Sequence, residues 1–87
     1  MPAVLIPSLM RDLTGGRAQV SVPGRTVGEV IAALEAAYPG TRERLCPEGT
    51  LSPLVAVLVD GRPARAGLAE PVADESEIHF LPAAAGG

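Results

Sequence analysis

The last two residues of the chain, Gly86 and Gly87, have types and spacing that suit acyl chemistry at a chain end. Glycine has no Cβ, so two glycines in succession can enter a channel too narrow for other residues. A carboxylate at Gly87, with a pKa of about 3.3 to 3.7, is ionised at neutral pH and is a poor electrophile. An enzyme would have to activate it, for example by transfer to the α-phosphate of ATP. A sulfur nucleophile could then displace AMP and leave a thiocarboxylate.

The residues before the diglycine would form a thin, uncharged stalk. Pro82 lacks an amide donor and would end the last strand, so that the chain leaves the sheet there. Three alanines follow it, Ala83, Ala84 and Ala85, and all four residues would contact the partner along the way. Six extended residues span roughly 20 Å, enough to reach into a partner's active site. We therefore predict a folded domain over residues 1–82 and a flexible tail over residues 83–87.

Length and composition restrict the classes of protein that this chain can be. Its 87 residues make one domain, and a hydrophobic content of 47% favours some apolar surface left for a partner. Seven arginines and no lysine against ten acidic residues argue against binding to nucleic acid. No apolar run is long enough for a transmembrane helix, and no signal peptide is recognisable. We expect a cytoplasmic protein, away from membranes and monomeric when free.

The single cysteine and the single histidine argue against an enzyme. One cysteine excludes an internal disulfide, and one histidine excludes any site that needs two, so we predict no metal site. A Cys46 nucleophile with His79 as its base would lack a third group to orient the base. A buried or half-buried thiol is the stronger interpretation of Cys46. His79 fits a docking surface better than it fits a general base.

Hydrophobic periodicity predicts four strands and one main helix. Thr26 and Glu29 form a capping box at a helix start, and the apolar residues that follow share one helical stripe. These are Val27, Val30, Ile31, Leu34 and Tyr38. The predicted strands are residues 3–8, 17–22, 54–60 and 77–82. The first two form a hairpin, and the third is a β-branched run that predicts a central strand buried on both faces. The remaining predictions are a helical turn at 41–46, a tight turn at 60–63 and an irregular crossing at 64–75.

One helix on one face of a mixed sheet of four to five strands is the β-grasp, or ubiquitin-like, arrangement of the α+β class. Alternation along the strands places four residues on the face without the helix, namely Leu5, Leu58, His79 and Leu81. Three leucines on that face predict a docking patch for a partner. In the alternative interpretation, the loops at 9–16 and 62–76 cover them.

Three stretches of the sequence resemble a known family, and together they run nearly from end to end. They are VLIPSLMRDLTGG at 4–16, VGEVIAALEAAYPG at 27–40 with RERL at 42–45, and IHFLPAAAGG at 78–87. In these stretches the chain resembles the ubiquitin-like sulfur carriers, the ThiS and MoaD family. The opening, with its IP and TGG motifs, resembles the cysteine-biosynthesis branch (CysO) more than the molybdopterin synthase small subunits.

The resemblance implies a β-grasp carrier that binds no cofactor of its own. An E1-like adenylating enzyme similar to MoeB or ThiF would use ATP to activate Gly87, with Gly86 beside it, and a sulfur donor would complete the thiocarboxylate. In the CysO branch, a cysteine synthase dependent on pyridoxal phosphate (PLP) takes the sulfur onto an activated serine derivative. A JAMM-type metalloprotease then releases cysteine from the tail.

Three alternatives remain open at this point. The sulfur could go to another acceptor, in molybdopterin synthase or in the synthesis of a secondary metabolite such as a thiosugar. The chain could be a ubiquitin-like modifier that forms an isopeptide with a target lysine, although a chain without lysine cannot build lysine-linked polymers of itself. It could also be a binding module with an inert tail.

Overall fold

The computed structural model describes residues 1–82. The predicted tail, with Gly86 and Gly87, lies outside the described residues, so the division into domain and tail stays a prediction. The elements, in chain order, are β1 (Ala3–Leu5), a first 3₁₀ helix (Ser8–Thr14), β2 (Gln19–Ser21), α1 (Val27–Ala37), α2 (Thr41–Leu45), β3 (Val55–Val59), β4 (Arg62–Pro63), a second 3₁₀ helix (Gly67–Ala69) and β5 (Glu77–Pro82). None of the helices in this part of the chain has the length and apolar character needed to cross a membrane.

The strands form one mixed five-stranded sheet in the order β2-β1-β5-β3-β4. β1 pairs antiparallel with β2 and parallel with β5, while β3 pairs antiparallel with β5 and with β4. The α+β, β-grasp fold and the first hairpin are therefore confirmed, and the last strand has its predicted bounds. The central strand is β5, however, and the 54–60 run forms its neighbour β3. Periodicity within a strand does not reveal its order in the sheet, because that order depends on pairing between distant segments.

α1 lies against one face of this sheet, and the core fills the space between them. The six sheet residues that alternation assigns to this side are all buried: Val4, Ile6, Val57, Val59, Ile78 and Phe80. On α1 the buried residues are Val27, Val30, Ile31 and Leu34, and Tyr38 at its C-cap is half-buried. Ala56 and Leu58 on the other face of β3 are only half-buried, so the prediction that this strand is buried on both faces is wrong. The single main helix covers one face, and apolar residues occupy the other without being enclosed.

The capping box at the start of α1 is present with one change of partner. Thr26 Oγ1 accepts a hydrogen bond from the Glu29 amide at 3.1 Å, as predicted. The Glu29 carboxylate accepts from the Arg25 amide at 2.9 Å rather than from the amide of Thr26. Thr26 forms an isolated antiparallel β-bridge with Pro71, so the crossing segment after β4 pairs with the residues at the start of α1. In that segment Val72 is buried and Leu68 is half-buried, which confirms their inward placement.

Three short elements were not predicted, namely the first 3₁₀ helix, β4 and the second 3₁₀ helix, which lies inside the crossing predicted as irregular. The first 3₁₀ helix begins with a hydrogen bond from the Met10 amide to the Pro7 carbonyl at 2.9 Å, and it ends at Gly15, whose φ is 65°. β4 follows a hairpin turn in which Asp60 and Gly61 both have positive φ, at 52° and 81°. The tight turn at 60–63 is therefore confirmed as a primed turn, which matches the twist of the strands it joins. The predicted helical turn after Gly40 is α2, with Leu45 and Cys46 buried beside it.

Gly24, between β2 and α1, allows a close approach of the backbone to the helix. Its φ is 155°, and a Cβ there would lie 2.7 Å from Val30 N and 2.8 Å from Val30 Cγ2. We expect Gly24→Ala to reduce the free energy of unfolding by about 3 kcal/mol, since both strain and overpacking act. Gly15→Ala is the matched control, because its φ is 65° and nothing lies within 4 Å of the added methyl. In denaturant titrations this control should lower the free energy of unfolding by about 1 kcal/mol. Equal losses for the two variants would show that the close approach of Gly24 to Val30 adds no penalty.

Asp60 joins the β3–β4 turn to the start of β5. Its Oδ1 accepts from the Glu77 amide at 2.9 Å, and its Oδ2 accepts from the Ser76 hydroxyl at 2.8 Å. The backbone hydrogen bond, followed by that of Ser76, holds the pKa of the Asp60 carboxyl below its ordinary value. Because the folded-state pKa lies below the unfolded one, the stabilisation is fully present above about pH 4 and is lost as the pH falls through the folded-state pKa.

We therefore expect Asp60→Asn to lower the Tm at neutral pH and to reduce the fall in Tm below about pH 4. Asparagine tolerates the left-handed backbone at this position, so the turn itself should persist. Thermal unfolding followed by circular dichroism across this pH range gives the measurement. A variant with the same acid dependence as the wild type would show that Asp60 does not act as a carboxylate here.

Candidate functional site

The face of the sheet opposite α1 carries a row of side chains centred on a histidine. His79 on β5 pairs with Leu5 on β1 and with Leu58 on β3. The row continues to Gln19 on β2 and to Pro63 on β4, so it crosses the whole sheet. The structure thus brings three of the predicted docking residues side by side, although they come from separate parts of the chain. We call this row, together with Leu81, the outer face.

The outer face is partly open. Leu5, Leu58 and His79 are half-buried, and Leu81, two residues further along β5, is 41% exposed. The loops at 9–16 and 62–76 therefore do not enclose it. His79 Nε2 lies 3.4 Å from a carboxylate oxygen of Glu77, which is on the same side of the strand. The arrangement offers a mostly apolar surface that also carries the His79–Glu77 pair.

A groove opens beside the outer face at the point where β5 ends. It has a volume of about 320 Å³, and its lining includes Leu5, Pro7, Leu9, Arg11, Leu81 and Pro82. We call it the end groove. Leu9, from the first 3₁₀ helix, is 80% exposed at its rim, and Leu54 in an adjoining hollow is 63% exposed.

Sequence reasoning missed the residues that the first 3₁₀ helix contributes, because residues 9–16 indicated only a turn. A signal was nevertheless present, since Met10 and Leu13 are three residues apart and Gly15 follows, as suits a 3₁₀ helix with a left-handed end. Met10 is buried, and this burial turns Leu9 outward.

Two arginines fasten the first 3₁₀ helix to the rest of the domain. Arg11 Nε donates to the Ile6 carbonyl at 3.1 Å, just after β1. Arg44 of α2 donates from Nη1 to the Leu9 carbonyl at 3.0 Å, and its Nη2 lies 3.6 Å from Asp12. These hydrogen bonds fix the Arg11 guanidinium and the Leu9 backbone, which form one wall of the end groove.

Cys46 lies in a different part of the molecule from the outer face. It is buried and lines a small pocket with Ile31 and Leu68 on the α1 side of the sheet, whereas His79 is on the other side. Burial raises the pKa of the Cys46 thiol, and nearby Arg42 offsets this only in part. Since the thiolate is the nucleophilic form, this setting does not favour covalent chemistry at Cys46. Among residues 1–82, no three side chains of His, Cys, Asp or Glu are grouped as metal ligands.

The last described residue, Pro82, lies where the outer face and the end groove meet. Pro82, exposed, is the last residue of β5 and pairs with Val55 of β3. The predicted contacts of Ala83, Ala84 and Ala85 and the predicted chemistry at Gly86 and Gly87 lie outside the described residues and stay predictions. Five residues can extend the chain by at most about 17 Å from Pro82, which limits where a partner can hold Gly87.

Comparison with known proteins gives near full-length matches. The model of the ThiS family matches residues 4–87. The chain is 43% identical to the sulfur carrier protein CysO of Mycobacterium tuberculosis over 89 residues, covering 97% of this chain and 96% of that protein. It is 39% identical to small archaeal modifier protein 3 of Haloferax volcanii over 64 residues, covering 71% of this chain and 70% of the relative.

Solved structures agree with these sequence matches. A chain in the crystal structure of the Amycolatopsis orientalis BexX/CysO complex superposes with a TM-score of 0.92 at 36% identity, covering 100% of both chains. The crystal structure of M. tuberculosis CysO gives a TM-score of 0.91 at 41% identity, covering 95% of this chain and 99% of that one. The resemblance indicated by the sequence is confirmed: the chain belongs to the ThiS family.

Proposed function

We propose that this protein carries sulfur as a thiocarboxylate on Gly87. The main support is its near full-length similarity to proteins named sulfur carrier protein CysO. The fold adds a second support, because β5 ends at Pro82 and five residues follow it, of which Gly87 is the fifth. Such a chain is long enough to present a carboxylate to an enzyme while the folded domain stays outside its active site.

The proposed chemistry takes place on partner enzymes in two steps. A carboxylate oxygen of Gly87 attacks the α-phosphorus of ATP and pyrophosphate leaves, which gives an acyl-adenylate. Hydrosulfide from the sulfur donor then attacks the carbonyl carbon, and AMP and a proton leave, which gives the thiocarboxylate. An E1-like adenylating enzyme of the MoeB or ThiF kind supplies the ATP site and works in the cytoplasm. The chain supplies the reacting carboxylate and the surface by which the enzyme recognises it.

We further propose that the sulfur is used to make cysteine. In this proposal a PLP-dependent cysteine synthase accepts the thiocarboxylate sulfur, and a JAMM-type metalloprotease releases the product from the tail. The CysO relatives support this acceptor over that of molybdopterin synthase. Transfer to another acceptor is the alternative, and a similar chain is found in complex with a second protein, BexX.

A second candidate function is protein modification. The similarity to small archaeal modifier protein 3 favours it, because that relative is named for this role. The products separate the two functions, since a modifier leaves Gly87 in an isopeptide bond with a target lysine and a sulfur carrier is recovered with a free tail.

Removal of Gly87 is expected to abolish activation without affecting the fold. ATP–pyrophosphate exchange catalysed by the adenylating enzyme should fall at least about a hundredfold, because a truncated carboxylate cannot reach the α-phosphate. Cys46→Ala is the control, and it should retain exchange within about twofold, since Cys46 is buried away from the tail. Exchange that survives the deletion, or that is lost in the Cys46 variant, would contradict the carrier mechanism.

Leu81→Asp should weaken docking of the adenylating enzyme, because it places a carboxylate on the apolar outer face. We expect the Kd, measured by calorimetric titration, to rise about tenfold, while the free energy of unfolding changes by less than about 1 kcal/mol. Ala32→Asp on the exposed side of α1 introduces the same charge away from the outer face. If the two variants bind equally well, the outer face does not contact this enzyme.

A further inference from the structure

The end groove combines apolar walls with a fixed cationic group. Leu9, Leu81 and Pro82 supply exposed apolar surface, and Arg11 lies among them. The surface is next to the outer face, and the first 3₁₀ helix forms it together with the ends of β1 and β5. A ligand for this groove would need an apolar part and an anionic part close together.

Arg11 is positioned to receive an anion from outside the domain. Its Nε donates to the Ile6 carbonyl, which orients the guanidinium while the two terminal nitrogens make no other hydrogen bond or ion pair among residues 1–82. In that part of the chain the one arginine ion pair joins Arg44 to Asp12, and His79 Nε2 lies 3.4 Å from Glu77. A guanidinium held in one orientation binds a carboxylate with two parallel hydrogen bonds and loses little entropy in doing so.

The length of the chain after Pro82 indicates which partner lies over the groove. Pro82 lines the groove, and Gly87 can be at most about 17 Å from it. An enzyme that holds the Gly87 carboxylate in its active site must therefore have surface within that distance of the groove. Arg11 is the one arginine in the lining of the groove, so a carboxylate is the group of the enzyme that it can attract there.

We propose that the end groove receives an apolar side chain and a neighbouring carboxylate of the enzyme that adenylates Gly87. Leu9, Leu81 and Pro82 pack around the apolar side chain, and Arg11 pairs with the carboxylate. This inference rests on the proposed function, and it adds a contact on the first 3₁₀ helix to the docking on the outer face. Arg11 acts in recognition and takes no part in the chemistry at Gly87.

The test compares Arg11→Glu with Arg17→Glu in steady-state ATP–pyrophosphate exchange by an adenylating enzyme already shown to be active on another carrier. Both changes reverse one charge, and Arg17 is exposed in the turn between β1 and β2, away from the lining of the groove. We expect Arg11→Glu to raise the KM for the chain about tenfold with kcat within about twofold, and Arg17→Glu to change KM by less than about twofold. Higher salt should reduce the difference in KM between the two variants.

Leu9→Ser is a second variant, and it leaves the Arg11–Ile6 hydrogen bond in place. Leu9 is 80% exposed, so its loss should leave the Tm unchanged while KM rises several-fold. If the wild-type chain is adenylated and both groove variants have the KM of Arg17→Glu, the groove proposal is overturned and the carrier function stands. If the active enzyme does not adenylate the wild-type chain at all, the carrier function itself is overturned.

Discussion

The register of β5 in the middle of the sheet constrains the rest of the molecule. Ile78 and Phe80 are at most 1% exposed beneath α1, and burial of such side chains stabilises a fold by about 1.5 to 3 kcal/mol each. Because side chains alternate along a strand, burying these two residues turns His79 and Leu81 to the opposite face. A slip of one residue would exchange the two sets and expose the core. One register therefore fixes the core, the outer face and the position of Pro82 at the end of β5.

This constraint also explains how much of the molecule could be predicted from its sequence. β5 and α1 could be predicted because their buried residues recur along the sequence at the period of a strand and at the period of a helix, respectively. β4 is too short to show such a repeat, and the first 3₁₀ helix shows it only once, between Met10 and Leu13. Each of these elements depends on a glycine with positive φ that a sequence shows only as a turn. The central place of β5 and the partial exposure of Leu58 could not be predicted, since both depend on which distant segments pair. For the same reason Leu5, His79 and Leu58 could be assigned to one face but not to one row, and the end groove was missed.

The site differs from an enzyme active site in what the domain contributes. Cys46, the one strongly nucleophilic side-chain type in the sequence, is buried on the α1 side with a raised pKa. The outer face and the end groove of the described domain instead meet beside Pro82. In the proposed function the domain provides recognition, while the reacting group is the carboxylate of Gly87. Specificity for a partner then depends on packing and charge near the root of the tail, and the chemistry depends on the partner's active site.

The intact mass of the chain, after incubation with ATP, an adenylating enzyme and a sulfide source, tests the central claim most directly. Conversion to a thiocarboxylate predicts a gain equal to the replacement of one oxygen by sulfur, and fragmentation should place that gain on Gly87. An unchanged mass, under conditions in which the same enzyme converts another carrier, would contradict a sulfur-carrying role. A gain of sulfur located on Cys46 would contradict the role proposed for Gly87.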